Sequence, residues 1–343
     1  MPARNEESCL GTCLESLVGQ SEVSFDITVV DDASSDGTRA MAQAFPSVRV
    51  LDAGPPLPGW TGKNNAMAAG AKIALGEWLL FTDADTVHKP GSLARAVAEA
   101  RQRGAALLSY SPEQEVRGFW EKAVMPVIFA ELAATYQPSQ VSDPRLPDAA
   151  ANGQYILVSR AGYDAVGGHA GVSSSLLEDV GLARAVKASG RKIFFRYGAD
   201  AVRTRMYRSF AQLREGWTKN LALLFPSPAP LALLRLAEFV LMVSGFIAAV
   251  AAFLRGHSKP ALAAAILVLA VYSLFLRRIR RAHFSREAKA LSLLGLPLFS
   301  YLLLRSRLAY QKGSVSWKGR TYGGSTNQLG TDALVRPAEQ SST

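Results

Sequence analysis

The chain has 343 residues, 49% of them hydrophobic, a mean hydropathy of +0.10 and a formal net charge of +10. That length exceeds what one compact core usually fills, and the hydrophobicity is high for a soluble enzyme, so two regions are expected, one of them rich in long apolar runs. The charge does not argue for nucleic acid, because 13 Lys/Arg against the single acid Glu287 fall between residues 255 and 320, a local +12 that leaves −2 for the rest.

Met1 leads straight into the polar run Pro2-Ala3-Arg4-Asn5-Glu6-Glu7, so no cleavable signal peptide is visible and the first region is expected to stay cytoplasmic. Pro2 to Glu6 reads as the loop that follows a first strand, and with only Met1 before it either the start lies downstream of the true one, the favoured expectation, or the sheet lacks that strand. Residues 8–20 have helical spacing and carry the only cysteines, Cys9 and Cys13, one turn apart; a bridge inside one helix staples nothing, and reduced thiols are expected. A β-branched strand at 27–30 ends in Asp31-Asp32, and a helix at 38–45, a strand at 48–51 and an Ala-rich helix at 64–75 follow. The strand at 78–81 ends in Thr82-Asp83-Ala84-Asp85, and beyond it come a helix at 93–103, a strand at 105–110 and an amphipathic stretch at 119–136. A Pro/Ser/Asp-rich loop at 138–147 precedes a strand at 155–159, a helix at 176–189 and a strand at 192–196. This alternation predicts an α/β fold, a mostly parallel sheet with helices on both faces, which binds ligands at the carboxyl ends of its strands. Both acidic clusters fall there.

Residues 230–254 are apolar apart from Arg235, Glu238 and a few small residues, long enough to cross a bilayer; 260–276 is a second run, and 290–304 a third with Pro297 inside it. The expected organisation is a catalytic domain over 1–228, a membrane region over 229–325 with two spans and a third segment that is interfacial or re-entrant, with a full crossing as the alternative, and a disordered tail at 326–343. Arg277, Arg278, Arg280, Arg281, Arg286 and Lys289 then face the cytoplasm, as the positive-inside rule requires, and so does the basic tail from Arg305.

Alternate residues of an extended strand share a side, so Asp83 and Asp85 are positioned to face one hard divalent cation, Mg²⁺ or Mn²⁺, whose shell is completed by phosphates and water. Asp31 and Asp32 can accept hydrogen bonds from a base or ribose. The run Gly59-Trp60-Thr61-Gly62-Lys63-Asn64 is not a Walker loop, because Leu57 stands where the first glycine is required and Asn64 where Ser or Thr is required; Lys63 can still counter diphosphate charge, against the plain alternative of a turn with an exposed lysine. Glu178 and Asp179 open a helix, where dipole compensation is the plain alternative to chemistry.

Taken together, Pro2 to Glu7, Val29 to Thr38 and Asp83-Ala84-Asp85 resemble the family 2 glycosyltransferases, inverting enzymes of the GT-A fold, and the Gly-Trp-x-Gly-Lys segment resembles a subgroup linked with hopanoid and carotenoid pathways. The resemblance implies nucleotide contacts at Ala3, Arg4, Glu6, Asp31, Asp32 and Asp83, metal at Asp83 and Asp85, and Asp179 as the catalytic base. Glu178, Arg214 and Trp217 are implied at the acceptor or diphosphate, although Gln212-Leu213-Arg214-Glu215-Gly216-Trp217 departs from the family's Gln-x-x-Arg-Trp spacing. The implied activity is transfer of a sugar from a UDP-sugar to a lipid or isoprenoid-type acceptor at the cytoplasmic membrane face. A nucleotide-sugar-binding membrane scaffold without turnover is the alternative, and a dehydrogenase is disfavoured because no Gly-x-Gly-x-x-Gly follows an early strand.

Overall fold

The computed structural model describes residues 1–322, so the tail expected to be disordered lies outside the described residues. The chain divides into two compact units: Met1–Glu115 with Tyr136–Met206, and Val116–Thr135 with the described residues from Tyr207 onward. The boundary expected near residue 228 therefore falls earlier, and the amphipathic stretch after residue 118 groups with the apolar helices.

The first unit begins with β1 (Pro2–Ala3), α1 (Glu7–Val18), β2 (Ile27–Asp31), α2 (Thr38–Gln43), β3 (Val48–Asp52) and α3 (Gly62–Ile73). The three strands form a parallel sheet in the order β1-β2-β3. Pro2 and Ala3, read from the sequence as loop, are thus strand: the N–H groups of Val30 and Asp32 donate to the carbonyls of Met1 and Ala3, both at 2.8 Å. The chain continues through β4 (Trp78–Phe81), β5 (Thr86–His88), α4 (Ser92–Arg103), β6 (Leu107–Ser111) and β7 (Glu113–Gln114), leaves for the second unit as α5 (Phe119–Thr135), and returns. There follow α6 (Pro138–Ser142), a short turn in the expected loop, then β8 (Ile156–Ser159), α7 (Arg160–Asp164), α8 (Glu178–Ala188), β9 (Ile193–Tyr197) and β10 (Val202–Thr204).

A second sheet has the order β4-β8-β6-β9, with β8 antiparallel to both neighbours and β6 parallel to β9. Its inward side chains Phe81, Ile156 and Val158 pack on Leu182 and Val186 of α8, the apolar face that the period of that helix predicts. The first sheet buries Val29 against Leu10, Leu14 and Leu17 of α1 in the same way. A third sheet, β5-β10-β7, is built from strands of two or three residues, too short to show a period of two, and the sequence did not announce it.

The second unit contains α5, α9 (Phe210–Leu224), α10 (Pro228–Leu254), α11 (Ser258–Ile279), α12 (Arg286–Gln311) and the hairpin β11 (Val315–Trp317) with β12 (Arg320–Tyr322). Three of its helices, α10 to α12, are long and apolar enough to cross a membrane. The first two leave almost all of that apolar surface exposed, whereas nearly half of the corresponding stretch of α12 is buried inside the unit. The third apolar run is one continuous helix of 26 residues, longer than its 15 apolar residues suggest, and Pro297 does not interrupt it. It packs on α5, where Gly295 lies against the Ala123 carbonyl, and on α9, where Ser306 donates to the Thr218 carbonyl at 2.6 Å and Tyr310 to that of Lys219 at 2.7 Å.

Arg235 and Glu238, the ionisable interruptions in the first apolar run, belong to a closed ring of charge. Arg235 bonds Glu131 of α5 at 2.9 Å and Glu238 at 3.1 Å, and Arg278 of α11 bonds the same two carboxylates at 3.0 and 2.8 Å. Two cations and two anions neutralise one another, which is the form in which charge is tolerated next to apolar helices.

Candidate active site

Beyond β2, Asp31 and Asp32 are buried, and Ala33 adopts φ 55°, a left-handed conformation costly for a residue with a Cβ. The Arg4 guanidinium holds that turn by donating to the Asp32 carbonyl at 2.6 Å and the Ala33 carbonyl at 3.1 Å. Asp31 Oδ1 accepts the Ser34 N–H at 3.2 Å, and Thr38 Oγ1 accepts the Glu6 N–H at 2.7 Å. Arg4 and Glu6 thus tie the first loop to the Asp31-Asp32 turn, with Ala3 buried beneath them.

Asp83 and Asp85 do not lie on an extended strand. β4 ends at Phe81, and the two aspartates occupy a turn that leads into β5. The turn is pinned through its carbonyls: Thr86 Oγ1 donates to that of Asp83 at 2.6 Å and Thr204 Oγ1 to that of Asp85 at 3.1 Å, while Thr82 Oγ1 donates to the Gln154 carbonyl at 2.9 Å. His88 joins this buried group of hydroxyls with Nε2 3.1 Å from Thr82 Oγ1; burial pulls its pKa down to about 4, so it is neutral and structural. Burial pushes the Cys13 thiol up to about 12, and both cysteines are free, as expected of inert thiols.

Lys63 connects the two acidic motifs. Its Nζ lies 2.8 Å from Asp83 Oδ1 and 2.7 Å from Glu178 Oε1. Burial alone lowers its pKa, but the paired carboxylates of Asp83 and Glu178 outweigh it and hold the ammonium well above its ordinary value. Next to Glu178, Asp179 accepts the Gly153 N–H on Oδ2 at 2.9 Å and the Val180 N–H on Oδ1 at 2.8 Å. Burial, and then the negative Glu178, raise its pKa to about 6.

Two positions quoted from the sequence without a role prove to organise this cluster. Asn64, fully buried, donates from Nδ2 to the carbonyls of Val172, Ser173 and Ser175 at 2.8, 2.9 and 3.0 Å, and so fastens the start of α3 to the segment that precedes Glu178. Thr61, the N-cap of α3, donates its own N–H to Ser173 at 2.9 Å. Gly153 lies under the cluster: a Cβ there would sit 3.2 Å from Lys63 Nζ and 3.3 Å from Glu178 Oε1. The signal for Asn64 was the motif itself, of which only the lysine invited a chemical reading.

Ala3, Arg4, Glu6, Asp31, Asp32, Lys63, Asp83, Asp85, Glu178 and Asp179 all belong to the first unit, whereas Arg214 and Trp217 belong to the second. Trp217 is buried with its indole N–H on Met125 Sδ at 3.4 Å, a core position rather than one free to close over a ligand; Arg214 is exposed on α9. Among the described residues no group of three or more His, Cys, Asp or Glu side chains is placed to hold a metal. Asp83 and Asp85 stand two positions apart in their turn, and a Mg²⁺ or Mn²⁺ ion needs only one or two protein carboxylates, drawing its remaining ligands from phosphates and water.

Residues 1–160 match the family model described as glycosyl transferase family 2. The chain is 27% identical to 4,4'-diaponeurosporenoate glycosyltransferase from Staphylococcus aureus strain MRSA252, and equally to that from strain USA300, over 96% of this chain and 88% of each relative. Among solved structures, Staphylococcus aureus TarS 1–349 aligns over 94% of this chain and 97% of its own at 16% identity with a TM-score of 0.40. Glucosyl-3-phosphoglycerate synthase from Mycobacterium tuberculosis, in complex with Mn²⁺ and UDP-glucose, aligns over 64% of this chain and 76% of its own at 18% identity with a TM-score of 0.39. The α/β unit with its sheet flanked by helices is of the GT-A type, and the chain is a glycosyltransferase whose residues 1–160 are similar to family 2.

Proposed function

We propose that the chain moves a sugar, with inversion, from a UDP-sugar to a lipid-type acceptor of the carotenoid class at the cytoplasmic membrane face. The observation that carries this reading is Lys63, which joins the carboxylate of the Asp83-Ala84-Asp85 turn to the Glu178-Asp179 pair. Donor diphosphate and acceptor nucleophile have to meet at such a junction. Buried Asp31 and Asp32 serve the nucleoside, with Ala3, Arg4 and Glu6 fixing their turn. Asp83 and Asp85 would hold Mg²⁺ or Mn²⁺, which neutralises charge on the departing diphosphate.

As the donor enters, the Lys63 ammonium passes from Asp83 to the diphosphate, freeing that carboxylate. The acceptor oxygen attacks the anomeric carbon on the face opposite the C–O bond to UDP, that bond breaks, and the proton of a hydroxyl acceptor goes to Asp179. Each Asp179 oxygen is held by one backbone N–H and keeps a lone pair for that proton. The relatives are named for a carboxylate, 4,4'-diaponeurosporenoate, and a carboxylate acceptor is already ionised at neutral pH, so Asp179 then orients rather than deprotonates.

The test is to incubate membranes containing the chain with labelled UDP-glucose and Mn²⁺ in the presence of a carotenoid acid or a carotenoid alcohol, and to extract the lipids. Label in the lipid fraction supports transfer. Donor binding without hydrolysis or transfer on either acceptor overturns it in favour of a scaffold.

A further inference from the structure

Within the second unit a groove of about 680 Å³ runs between α9, α12 and β11. On α12 it is lined by Tyr301, Leu304, Arg305, Leu308 and Lys312, positions three or four apart that form one stripe of the helix, and α9 contributes Arg214. The stripe runs from the apolar Tyr301 and Leu304 through Arg305 and Leu308 to Lys312, which caps the helix. Glu215 is the one acid in the lining, and among the described residues it pairs with none of the three cations. Arg305 donates from Nε to Thr218 Oγ1 at 3.2 Å, which leaves the rest of its guanidinium for a ligand. Three cations that pair with no carboxylate among the described residues, set against an apolar wall in a unit of membrane-length helices, are complementary to an anionic amphiphile.

We infer that this groove binds one anionic phospholipid, its headgroup phosphate held by Arg214, Arg305 and Lys312 and an acyl chain laid along Leu304, Leu308 and Tyr301. Arg305 and Lys312 stand seven positions apart, about 10 Å along the helix, and their long side chains can converge with that of Arg214 on one anionic headgroup. The inference requires only the membrane association of the helices and stands apart from the transfer chemistry.

It is tested on the full chain purified in mild detergent, by native mass spectrometry with phosphatidylglycerol or phosphatidylcholine added. The chain should retain one phosphatidylglycerol in preference to phosphatidylcholine. The Lys312→Gln variant should weaken that retention severalfold and Arg305→Gln/Lys312→Gln at least tenfold. Arg307→Gln, which removes the same charge from the same turn outside the groove, should leave it unchanged. Equal loss in Arg307→Gln means unspecific attraction to a basic helix and overturns the site, as does full retention by the double variant with an unchanged melting temperature. Displacement of phosphatidylglycerol by equimolar retinoic acid overturns the phospholipid assignment in favour of a carboxylated polyene.

Discussion

At the scale of single residues, the proposed reaction turns on an exchange of cations. Lys63 occupies Asp83 at hydrogen-bond distance, so a free metal ion has to compete with an internal ammonium for that carboxylate. Lys63→Met is expected to tighten binding of Mn²⁺ without nucleotide by roughly tenfold and to weaken binding of UDP by a similar factor, because the same charge opposes one ligand and attracts the other. Calorimetric titration of each ligand checks both; unchanged Mn²⁺ affinity would sink the exchange. Asp85→Asn should remove metal-dependent turnover by about 10²-fold or more, a loss typical of removing one transition-state charge contact, while leaving the melting temperature near that of the parent.

Asp179 makes a prediction in pH. A base with a raised pKa is lost as pH falls through that value, so the rate with a hydroxyl acceptor should fall below about pH 6 and be level above it. Glu178 is one cause of the shift, so Glu178→Gln should move the limb to lower pH. With a carboxylate acceptor the limb should be absent. A pH–rate profile on both acceptors reads this directly; a limb common to both would assign it to a group other than the base.

At the scale of elements, the helices of the second unit depend on a close approach and on a closed ring of charge. A Cβ at Gly295 would overlap the Ala123 carbonyl of α5, and backbone does not yield as a flexible side chain does. Gly295→Ala should therefore cost about 1 to 3 kcal/mol, read as a lower melting temperature in detergent, despite the better helix propensity of alanine. Arg235→Ala leaves Glu131 and Glu238 to share Arg278 alone, and breaking such a partly buried pair costs about 3 to 5 kcal/mol. Arg235→Ala/Glu131→Ala should recover part of that loss, because it removes one charge of each sign; no recovery would mean that the guanidinium acts through packing.

At the scale of the whole molecule, topology follows from what α12 touches. Lys122 of α5 pairs with Glu287 at the start of α12 at 2.6 Å, and α9 takes hydrogen bonds from its second half. Both α5 and α9 follow directly in the chain from the first unit, so we propose that α12 lies along the membrane face with them, while α10 and α11 cross. A thiol probe at Ser314 should then react only after permeabilisation, and one at Ser258 from outside; labelling of Ser314 in intact cells would establish a third crossing.

Much of this was legible in one dimension. The 3.6-residue and β-branched patterns placed α1 to α4 and β2 to β4 within a few residues, because their side chains face one core and repeat with the period of the element. The acidic motifs were legible because carboxylates at strand ends have few structural uses. Three features were decided by the tertiary structure alone. The Asp83-Ala84-Asp85 turn is bent by hydroxyls at Thr86 and Thr204, the latter far along the chain, and no local pattern encodes such partners. α5 belongs with the membrane-length helices because Arg235 and Arg278 need the Glu131 carboxylate, a requirement of charge neutrality satisfied between distant segments. Lys63 reaches Glu178 because Asn64 binds three carbonyls over a hundred residues away, so the meeting of the two acidic motifs is a property of the folded chain and not of either motif.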